Sequence, residues 1–265
     1  MRRSQTVLAS PDYSVRLVTC TDDHRRWSAP EPADTFGLVL PRRGRFRMRS
    51  DGTEHPVDVA QGYLQVPGRE QCFAHPAGGD VCTFLSLGET LWHEILGERR
   101  PPETVRVDAA TELSHRLLLR SAHEDADPSE HLVWTLMAAA RAVPSDGANA
   151  GAAPARARLG ASAREAVLEG DPALRDLVSL ARALQVSPAH LSRVFKSENG
   201  VSLTAFRNRV RASRALARLE AGDGDLAALA ADVGFADQAH LTRTIRSALG
   251  TTPARVREAF RRGRD

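Results

Sequence analysis

The sequence has little that would place the protein in a membrane or outside the cell. No stretch holds the roughly 18 consecutive apolar residues of a membrane-spanning helix. Residues 1–15, MRRSQTVLASPDYSV, lack the apolar core of about 7–15 residues that a signal peptide needs. We therefore expect no membrane partner and a cytoplasmic protein.

Cysteine is scarce and irregularly placed. The three cysteines, Cys20, Cys72 and Cys82, lack the spacing of a disulfide framework or a zinc site, which agrees with a reducing compartment. Cys72 and Cys82 would suit a redox sensor if they lay on neighbouring strands, but buried unreactive thiols are the commoner case.

Lysine is almost absent, and the basic residues are unevenly distributed. Only Lys196 among the 36 basic residues is a lysine, a bias from which we infer no function. Residues 1–155 hold 17 basic and 21 acidic side chains, a net charge of −4, whereas residues 156–265 hold 19 and 12, a net charge of +7. This asymmetry predicts that the second half meets a polyanion while the first half does something else.

The length of 265 residues allows two domains, since a typical domain has about 150 residues. Up to about residue 88, short apolar runs are broken by turn-forming residues, without a strand–helix–strand rhythm. These runs are SVRLVTC, FGLVL, RFRMR, YLQV and VCTFLSL. They predict a small antiparallel β-barrel or sandwich.

Two helical patterns follow the strands, each with apolar residues at spacings of three and four. The patterns are formed by Leu113, Leu117 and Leu118, and by Leu132, Leu136, Ala139 and Val143. The second pattern, together with Trp134, is the candidate dimer surface, unless its apolar stripe simply covers the barrel.

A change of composition marks the domain boundary. Residues 144–160, PSDGANAGAAPARARLG, are rich in Ala and Gly, as linkers are, although the end of this segment could already be helical. We predict an α+β protein with a first domain at 1–143, a linker at 144–160 and an all-α domain at 161–265. Helix caps in the last part support this: Asp171, Ser187 and Thr252 each precede a proline, and Gly170, Gly200 and Gly250 suit helix ends.

One short segment occurs twice. AHLSRVFKSENG at 189–200 returns as AHLTRTIRSALG at 239–250, and LVSLARALQV upstream of the first copy matches LAALAADVGF upstream of the second. Each copy predicts a helix, a turn of about four residues and a second helix, which is the helix-turn-helix pattern. A repeat alone would fit an ordinary helical bundle equally well.

The charge of the repeated helices favours nucleic acid. Their outward positions carry polar and cationic side chains of the types that contact bases and phosphates. The connecting helix, from Ser202 to about Glu220, carries a stripe of arginines, whereas a solvated face usually mixes both signs. The stripe consists of Arg207, Arg211, Arg214 and Arg218.

These motifs are similar to the DNA-binding domain of the AraC/XylS family of bacterial transcription regulators. The resemblance covers about 100 residues and is carried by SLARALQVSPAHLSRVFKSENGVSLTAFR and LAALAADVGFADQAHLTRTIRSALGTTPARVR. It implies two helix-turn-helix subdomains joined by one rigid helix, with recognition helices in successive major grooves roughly 34 Å apart. DNA-repair alkyltransferases have a related domain, but they need an acceptor cysteine and none follows Cys82.

The resemblance and the arginine stripe together give the predicted DNA-contacting residues. They are Ala189, His190, Ser192, Arg193 and Lys196 in the first recognition helix, Gln238, Ala239, His240, Arg243 and Arg246 in the second, and Arg207 and Arg211 between them. Arg193 and Arg243 are the strongest candidates to grip guanine O6 and N7, a contact worth about 1–3 kcal/mol, although either could hold a phosphate instead. The two histidines could equally cap or pack, and Ala189 could meet a thymine methyl or contribute nothing.

The first half resembles the cupin-like sensing and dimerisation domain of many such regulators. The stretch GLVLPRRGRFRMRSDGTEHPVDVAQGYLQVPGREQCFAHP carries this resemblance. It lacks the H-x-H pair of metal-dependent cupins, so we expect neither a metal nor another cofactor. Arg42, Arg43, Gln71 and His75 are the candidate effector-binding residues, although surface arginines on a hairpin are the commoner explanation.

The resemblance therefore predicts a transcription regulator without enzymatic activity. Its expected partners are double-stranded DNA at a promoter or operator and a second copy of the chain, with RNA polymerase and a small-molecule effector as further candidates. Two alternatives remain open at this point. One is a nonspecific DNA binder, and the other is a cupin enzyme with a DNA-binding tether.

Overall fold

The computed structural model describes residues 1–97, 101–121, 131–133, 135–136 and 154–262. The chain forms two compact units. The first comprises Met1–Val143, Leu219–Gly222 and Ala254–Asp265, and the second comprises Pro144–Arg218 and Asp223–Pro253. Trp134, Ala139, Val143 and the first part of the predicted linker, 144–153, lie outside the described residues.

The described part of the first unit is rich in β-structure. Its strands are β1 (Arg2–Ala9), β2 (Tyr13–Cys20), β3 (Glu31–Pro32), β4 (Phe36–Arg43), β5 (Phe46–Ser50), β6 (Thr53–Val57), β7 (Gln61–Gln65), β8 (Glu70–Ala74), β9 (Asp80–Leu87) and β10 (Thr104–Arg106). They form a six-stranded sheet in the order β1-β2-β9-β4-β7-β10 and a four-stranded sheet in the order β3-β8-β5-β6. The pairings between these strands are antiparallel, which confirms the predicted β-rich domain.

Side chains alternate between the two faces of the six-stranded sheet, as the pleat requires. On β4, Val39 belongs to a buried cluster with Phe46 and Phe73 of the four-stranded sheet, so this cluster fills the space between the sheets. Leu38 and Leu40 belong to a second cluster on the opposite face. The barrel interior is therefore a packed core.

Helices cover that opposite face. They are α1 (Glu89–Leu96) and α2 (Ala109–Ser121), of which only α2 was predicted. Leu132 and Leu136, in a short helical stretch, are buried in the same cluster as Trp92 of α1 and Leu118 of α2. The expectation that Leu132 and Leu136 form a dimer surface is therefore wrong, because their apolar side chains cover the sheet.

Sequence patterns found the inner strands and missed the edges. Four of the five unpredicted strands, β1, β3, β6 and β10, lie at the edges of the two sheets. An edge strand need not bury a full face, and β1 accordingly consists mostly of exposed residues without an apolar alternation. The fifth, β8, has the short sequence EQCFA, which carries too little pattern to be recognised.

The cysteine expectation also needs correction. Cys72 lies on β8, which pairs with β3 and β5, whereas Cys82 lies on β9, which pairs with β2 and β4. The two residues are thus not on neighbouring strands. Burial raises the pKa of the Cys82 thiol well above its ordinary value, so the reactive thiolate is disfavoured there.

The chain from Pro154 onward is helical. It contains α3 (Pro154–Glu169), a 3₁₀ turn (Pro172–Leu174), α4 (Leu177–Ala183), α5 (Pro188–Asn199), α6 (Leu203–Ala221), α7 (Leu226–Val233), α8 (Gln238–Leu249) and α9 (Pro253–Arg262). This confirms the predicted all-helical region, with one difference at its start. Residues 154–160, which we assigned to the linker, already belong to α3, because alanine is a strong helix former and outweighs the single Gly160.

Candidate nucleic-acid interface

The two repeated segments, α5 and α8, have matching ends fixed by local chemistry. Ser187 Oγ accepts a hydrogen bond from the backbone N–H of His190 at 3.2 Å, and Asp237 Oδ1 accepts one from that of His240 at 2.6 Å. At the other ends, Gly200 and Gly250 both adopt φ near +68°, a left-handed conformation that glycine adopts without strain. The sequence repeat is therefore also a structural repeat.

Each recognition helix buries one face. Leu191 and Phe195 of α5 have no exposed surface, and the same holds for Leu241 and Ile245 of α8. The preceding helices α4 and α7 present fully buried alanines, Ala181 and Ala230 respectively. A methyl side chain lets two helices cross closely, which is the reason for alanine at this position in both copies.

The opposite face of each recognition helix is exposed, and it carries the residues that we predicted to contact DNA. Exposed residues in the two helices are Ala189, His190, Ser192, Arg193 and Lys196, and Gln238, Ala239, Arg243 and Arg246. His240 is half-buried instead. Its ring packs edge-on against Phe235, and its Nδ1 accepts a weak hydrogen bond from the backbone N–H of Ala236 at 3.4 Å. These contacts favour the packing role for His240.

A helix that the sequence analysis placed partly in the linker supports the first recognition helix. Gly160 of α3 lies so close to α5 that an added Cβ would come within 2.9 Å of Glu198 Cβ. Arg164 Nη1 donates to Asn199 Oδ1 at 3.0 Å, and its guanidinium lies 4.7 Å from the ring centre of Phe206 on α6. The helix α3 therefore fixes both α5 and the connecting helix.

The arginine stripe of α6 is engaged within the unit. Arg207 Nη2 donates to the carbonyls of Leu174 and Asp176 at 2.9 and 3.0 Å. Asp176 in turn caps α4, since its side chain accepts from the backbone N–H of Ser179 at 2.8 Å. That hydrogen bond lowers the pKa of Asp176, and burial lowers the pKa of Arg207. Arg207 thus fastens the start of the first motif to the connecting helix.

The remaining stripe arginines also make intramolecular contacts. Arg214 Nη2 donates to the carbonyl of Leu168 at 2.7 Å, and Arg218 pairs with Asp223 and Asp232. Arg211 lies 6.0 Å from the ring centre of Phe235, in the turn of the second motif. Arg207 and Arg214 thus donate guanidinium N–H groups to backbone carbonyls of this unit, whereas the DNA contacts of Arg207 and Arg211 stay predictions.

The comparisons with known proteins agree with this geometry. Residues 180–259 match the family model described as a helix-turn-helix domain. The chain carries an AraC-type helix-turn-helix domain. The arabinose operon regulatory proteins of Salmonella typhimurium and Escherichia coli are each 30% identical to the chain over 82 residues. The match spans 31% of this chain and less than a third of the length of either relative, 29% and 28%.

Solved structures show partial similarity. The C-terminal domain of AraT, a response regulator from Geobacillus stearothermophilus, is 27% identical, covering 38% of this chain and 84% of its own, with a TM-score of 0.36. Fatty-acid-bound ToxT from Vibrio cholerae is 10% identical, covering 94% and 95%, with a TM-score of 0.36. A cupin 2 conserved barrel domain protein from Salinispora arenicola is 13% identical. The match covers 35% of this chain and 81% of that protein, with a TM-score of 0.29.

The effector-binding candidates of the first unit differ in burial and in their partners, and their role stays a prediction. Gln71 is buried, and its Nε2 donates to the carbonyl of Leu64 at 3.1 Å. Arg42 pairs with Glu220 of the same unit at 2.6 Å, whereas Arg43 is exposed at the end of β4. His75 lies in a separate buried cluster with Cys20 and Asp80. No helix in the described part of the chain is both long and apolar enough to cross a membrane.

The anchoring role of Arg207 gives a testable prediction. Arg207→Ala removes two hydrogen bonds from a charged donor, so we expect the helical part of the chain to lose about 1–2 kcal/mol of stability. The measurement is chemical unfolding followed by circular dichroism, since helices dominate this part. Arg182→Ala, an exposed arginine in the last turn of α4, is the matched control and should leave the midpoint unchanged. If Arg207 instead held a phosphate, the substitution would leave the stability unchanged. The slope of log affinity for DNA against log salt concentration would then fall by about one.

Proposed function

We propose that the protein is a sequence-specific DNA-binding transcription regulator, acting through the two recognition helices α5 and α8. One observation carries the proposal. The same capped helix occurs twice within one helical unit, with its apolar face buried and its polar, cationic face exposed in both copies. The similarity of the AraC-type domain to two arabinose operon regulatory proteins supports it.

The chemistry of the exposed faces suits the major groove. A guanidinium can donate two parallel hydrogen bonds to guanine O6 and N7, which gives Arg193 and Arg243 the base-reading role. Ser192 and Gln238 can hydrogen-bond base edges, and Lys196 and Arg246 at the far ends of the helices suit phosphates. A single chain would then read two groove segments about one helical turn, roughly 34 Å, apart.

Regulation is proposed to work by linkage. An effector or a second copy of the chain, bound through the first unit, would shift the population of the arrangement that binds DNA well. The proposal places the protein at the nucleoid, in contact with promoter or operator DNA and with RNA polymerase. It assigns no catalytic role to any residue.

The proposal is tested by selecting binding sites from random and genomic DNA with the full chain at two salt concentrations. Wild type, Arg193→Ala and Arg243→Ala are compared, with Arg182→Ala as an exposed arginine outside the two recognition helices. We expect enriched sites with two short blocks about one turn apart, and each recognition-helix substitution should relax its own block at a cost of about 1–3 kcal/mol.

The alternatives predict different results. A nonspecific binder would enrich no sequence, show a steep salt dependence, and lose affinity uniformly in both variants. In that case the two arginines hold phosphates and the regulator proposal fails. A cupin enzyme with a DNA-binding tether would need metal ligands of the H-x-H type, which the sequence does not contain.

A further inference from the structure

Three buried side chains of the kinds that bind metal ions lie close together in the first unit. They are the thiol of Cys20, the imidazole of His75 and the carboxylate of Asp80, which are 6%, 8% and 5% exposed. One ligand atom from each lies within 4.8 Å of the others. The sequence did not predict this cluster, because the three residues lack both the cupin H-x-H pair and a regular cysteine spacing.

Strand pairing brings these three residues together. Cys20 on β2 and Asp80 on β9 are direct cross-strand partners in the antiparallel ladder, so their side chains leave the sheet on the same face. His75 follows β8 and is held by a hydrogen bond from its backbone N–H to the carbonyl of His24 at 2.9 Å. The tight return to β9 requires glycine at position 79, since an added Cβ there would lie 2.3 Å from the Cys20 carbonyl oxygen.

The polar atoms of the cluster are not satisfied by one another. His75 Nε2 lies 3.2 Å from Asp80 Oδ2, within ion-pair distance but without the angles of a hydrogen bond, and His75 Nδ1 is buried without a hydrogen-bond partner among the described residues. Native proteins rarely leave buried polar atoms in this state, and an ion is one of the explanations for such atoms. The ring is otherwise fixed, stacked on Phe46 with the centres 5.2 Å apart.

We propose that Cys20, His75 and Asp80 form a metal-binding site for a divalent ion of the zinc class. Sulfur and nitrogen ligands favour zinc over magnesium or calcium, which prefer all-oxygen sites. Zinc bonds of about 2.0–2.3 Å place the ligand atoms of a tetrahedron roughly 3.5 Å apart. The His75 and Asp80 atoms are already 3.2 Å apart, so only small shifts of the ligand atoms are needed to enclose the ion. On binding, the thiol proton of Cys20 leaves to solvent as the sulfur–metal bond forms.

The surroundings offer a fourth ligand. The thiol of Cys82 lies 3.2 Å from Asp80 Oδ1, and the carboxylate of Asp22 lies 3.3 Å from the sulfur of Cys20. Either group, or a water molecule, completes a four-coordinate site. The ligand set differs from that of a metal-dependent cupin, so the site ties β2, the β8–β9 turn and β9 together without implying catalysis.

The test uses the full chain without an affinity tag, stripped with a chelator and titrated with Co²⁺ and then Zn²⁺. We expect one equivalent of Co²⁺ with a thiolate-to-metal charge-transfer band, and displacement by one equivalent of Zn²⁺. Cys20→Ser should weaken that band, and both Cys20→Ser and His75→Gln should lower the affinity at least about tenfold. Cys72→Ser, a half-buried thiol outside the cluster, is the matched control and should change neither.

A second measurement does not depend on the variants folding as well as wild type. All three tryptophans precede residue 135, so tryptophan fluorescence reports on the first unit. Zn²⁺ should raise the thermal midpoint of wild type and of Cys72→Ser. The proposal is overturned if wild type binds no stoichiometric metal and its midpoint does not move, or if Cys20→Ser and His75→Gln retain wild-type affinity.

Discussion

Replacing Leu241 with alanine is expected to destabilise the helical part of the chain by about 3 kcal/mol and to weaken binding to the second block of the DNA site. Leu241 is fully buried in α8, two residues before the exposed Arg243. The substitution removes buried apolar atoms and leaves a cavity. Stability is lost both because less apolar surface is removed from water and because the cavity forfeits packing contacts. It changes no residue of the exposed face. The position of α8, and with it Arg243, depends on this packing.

The measurement is chemical unfolding followed by circular dichroism, combined with the binding selection. Leu249→Ala is the control, because Leu249 is only half-buried at the end of the same helix and should cost clearly less. An unchanged unfolding midpoint in Leu241→Ala would mean that the inner face of α8 is not the core seen here. Loss of binding at both blocks equally would argue against two separate reading helices.

Replacing Glu112 with alanine is expected to destabilise the first unit by about 3 kcal/mol. Arg116 donates from Nε and Nη2 to Glu112 Oε1 at 2.9 and 2.7 Å, and the two side chains are only 3% and 0% exposed. Burial by itself would lower the pKa of Arg116, but the charges of Glu112 and Glu220 outweigh it and raise that pKa. A guanidinium is not deprotonated in proteins, so Arg116 keeps its charge in the variant, with one of its two carboxylate partners gone.

Tryptophan fluorescence during urea unfolding measures this effect, since it reports on the first unit. Glu94→Ala removes an exposed carboxylate of α1 and should leave the midpoint in place. Glu112→Gln keeps an acceptor oxygen without the charge, so its unfolding midpoint should lie between those of wild type and the alanine variant. If Glu112→Ala unfolds like wild type, the buried pair contributes no net stability, as some buried ion pairs do.

The two units differ in how their polar groups are used. In the first, charged and polar side chains such as Glu112, Arg116 and Gln71 are buried and bonded to one another or to the backbone. In the second, the cationic side chains of the recognition helices are exposed. Exposed cations keep their hydrogen-bonding capacity for a polyanion, whereas the buried, bonded side chains of the first unit stabilise its packing.

Local chemistry made much of the helical part predictable from the sequence by itself. Ser187 and Asp237 as N-caps and Gly200 and Gly250 as C-caps act within one turn of their own helix, so the sequence determined where α5 and α8 begin and end. The period of the leucines fixed which face is buried. The inner strands were predictable because each is a short apolar run bounded by turn-forming residues.

Only the tertiary structure decided the features that depend on residues far apart in the chain. Arg207 was indistinguishable from a phosphate-binding arginine until its partners, the carbonyls of Leu174 and Asp176, were brought to it by folding. Edge strands such as β1 carry little apolar pattern, because pairing with a neighbour forms them. Cys20, His75 and Asp80 are separated by up to 60 positions and meet through the β2–β9 ladder and the β8–β9 turn, so no local spacing could reveal that site.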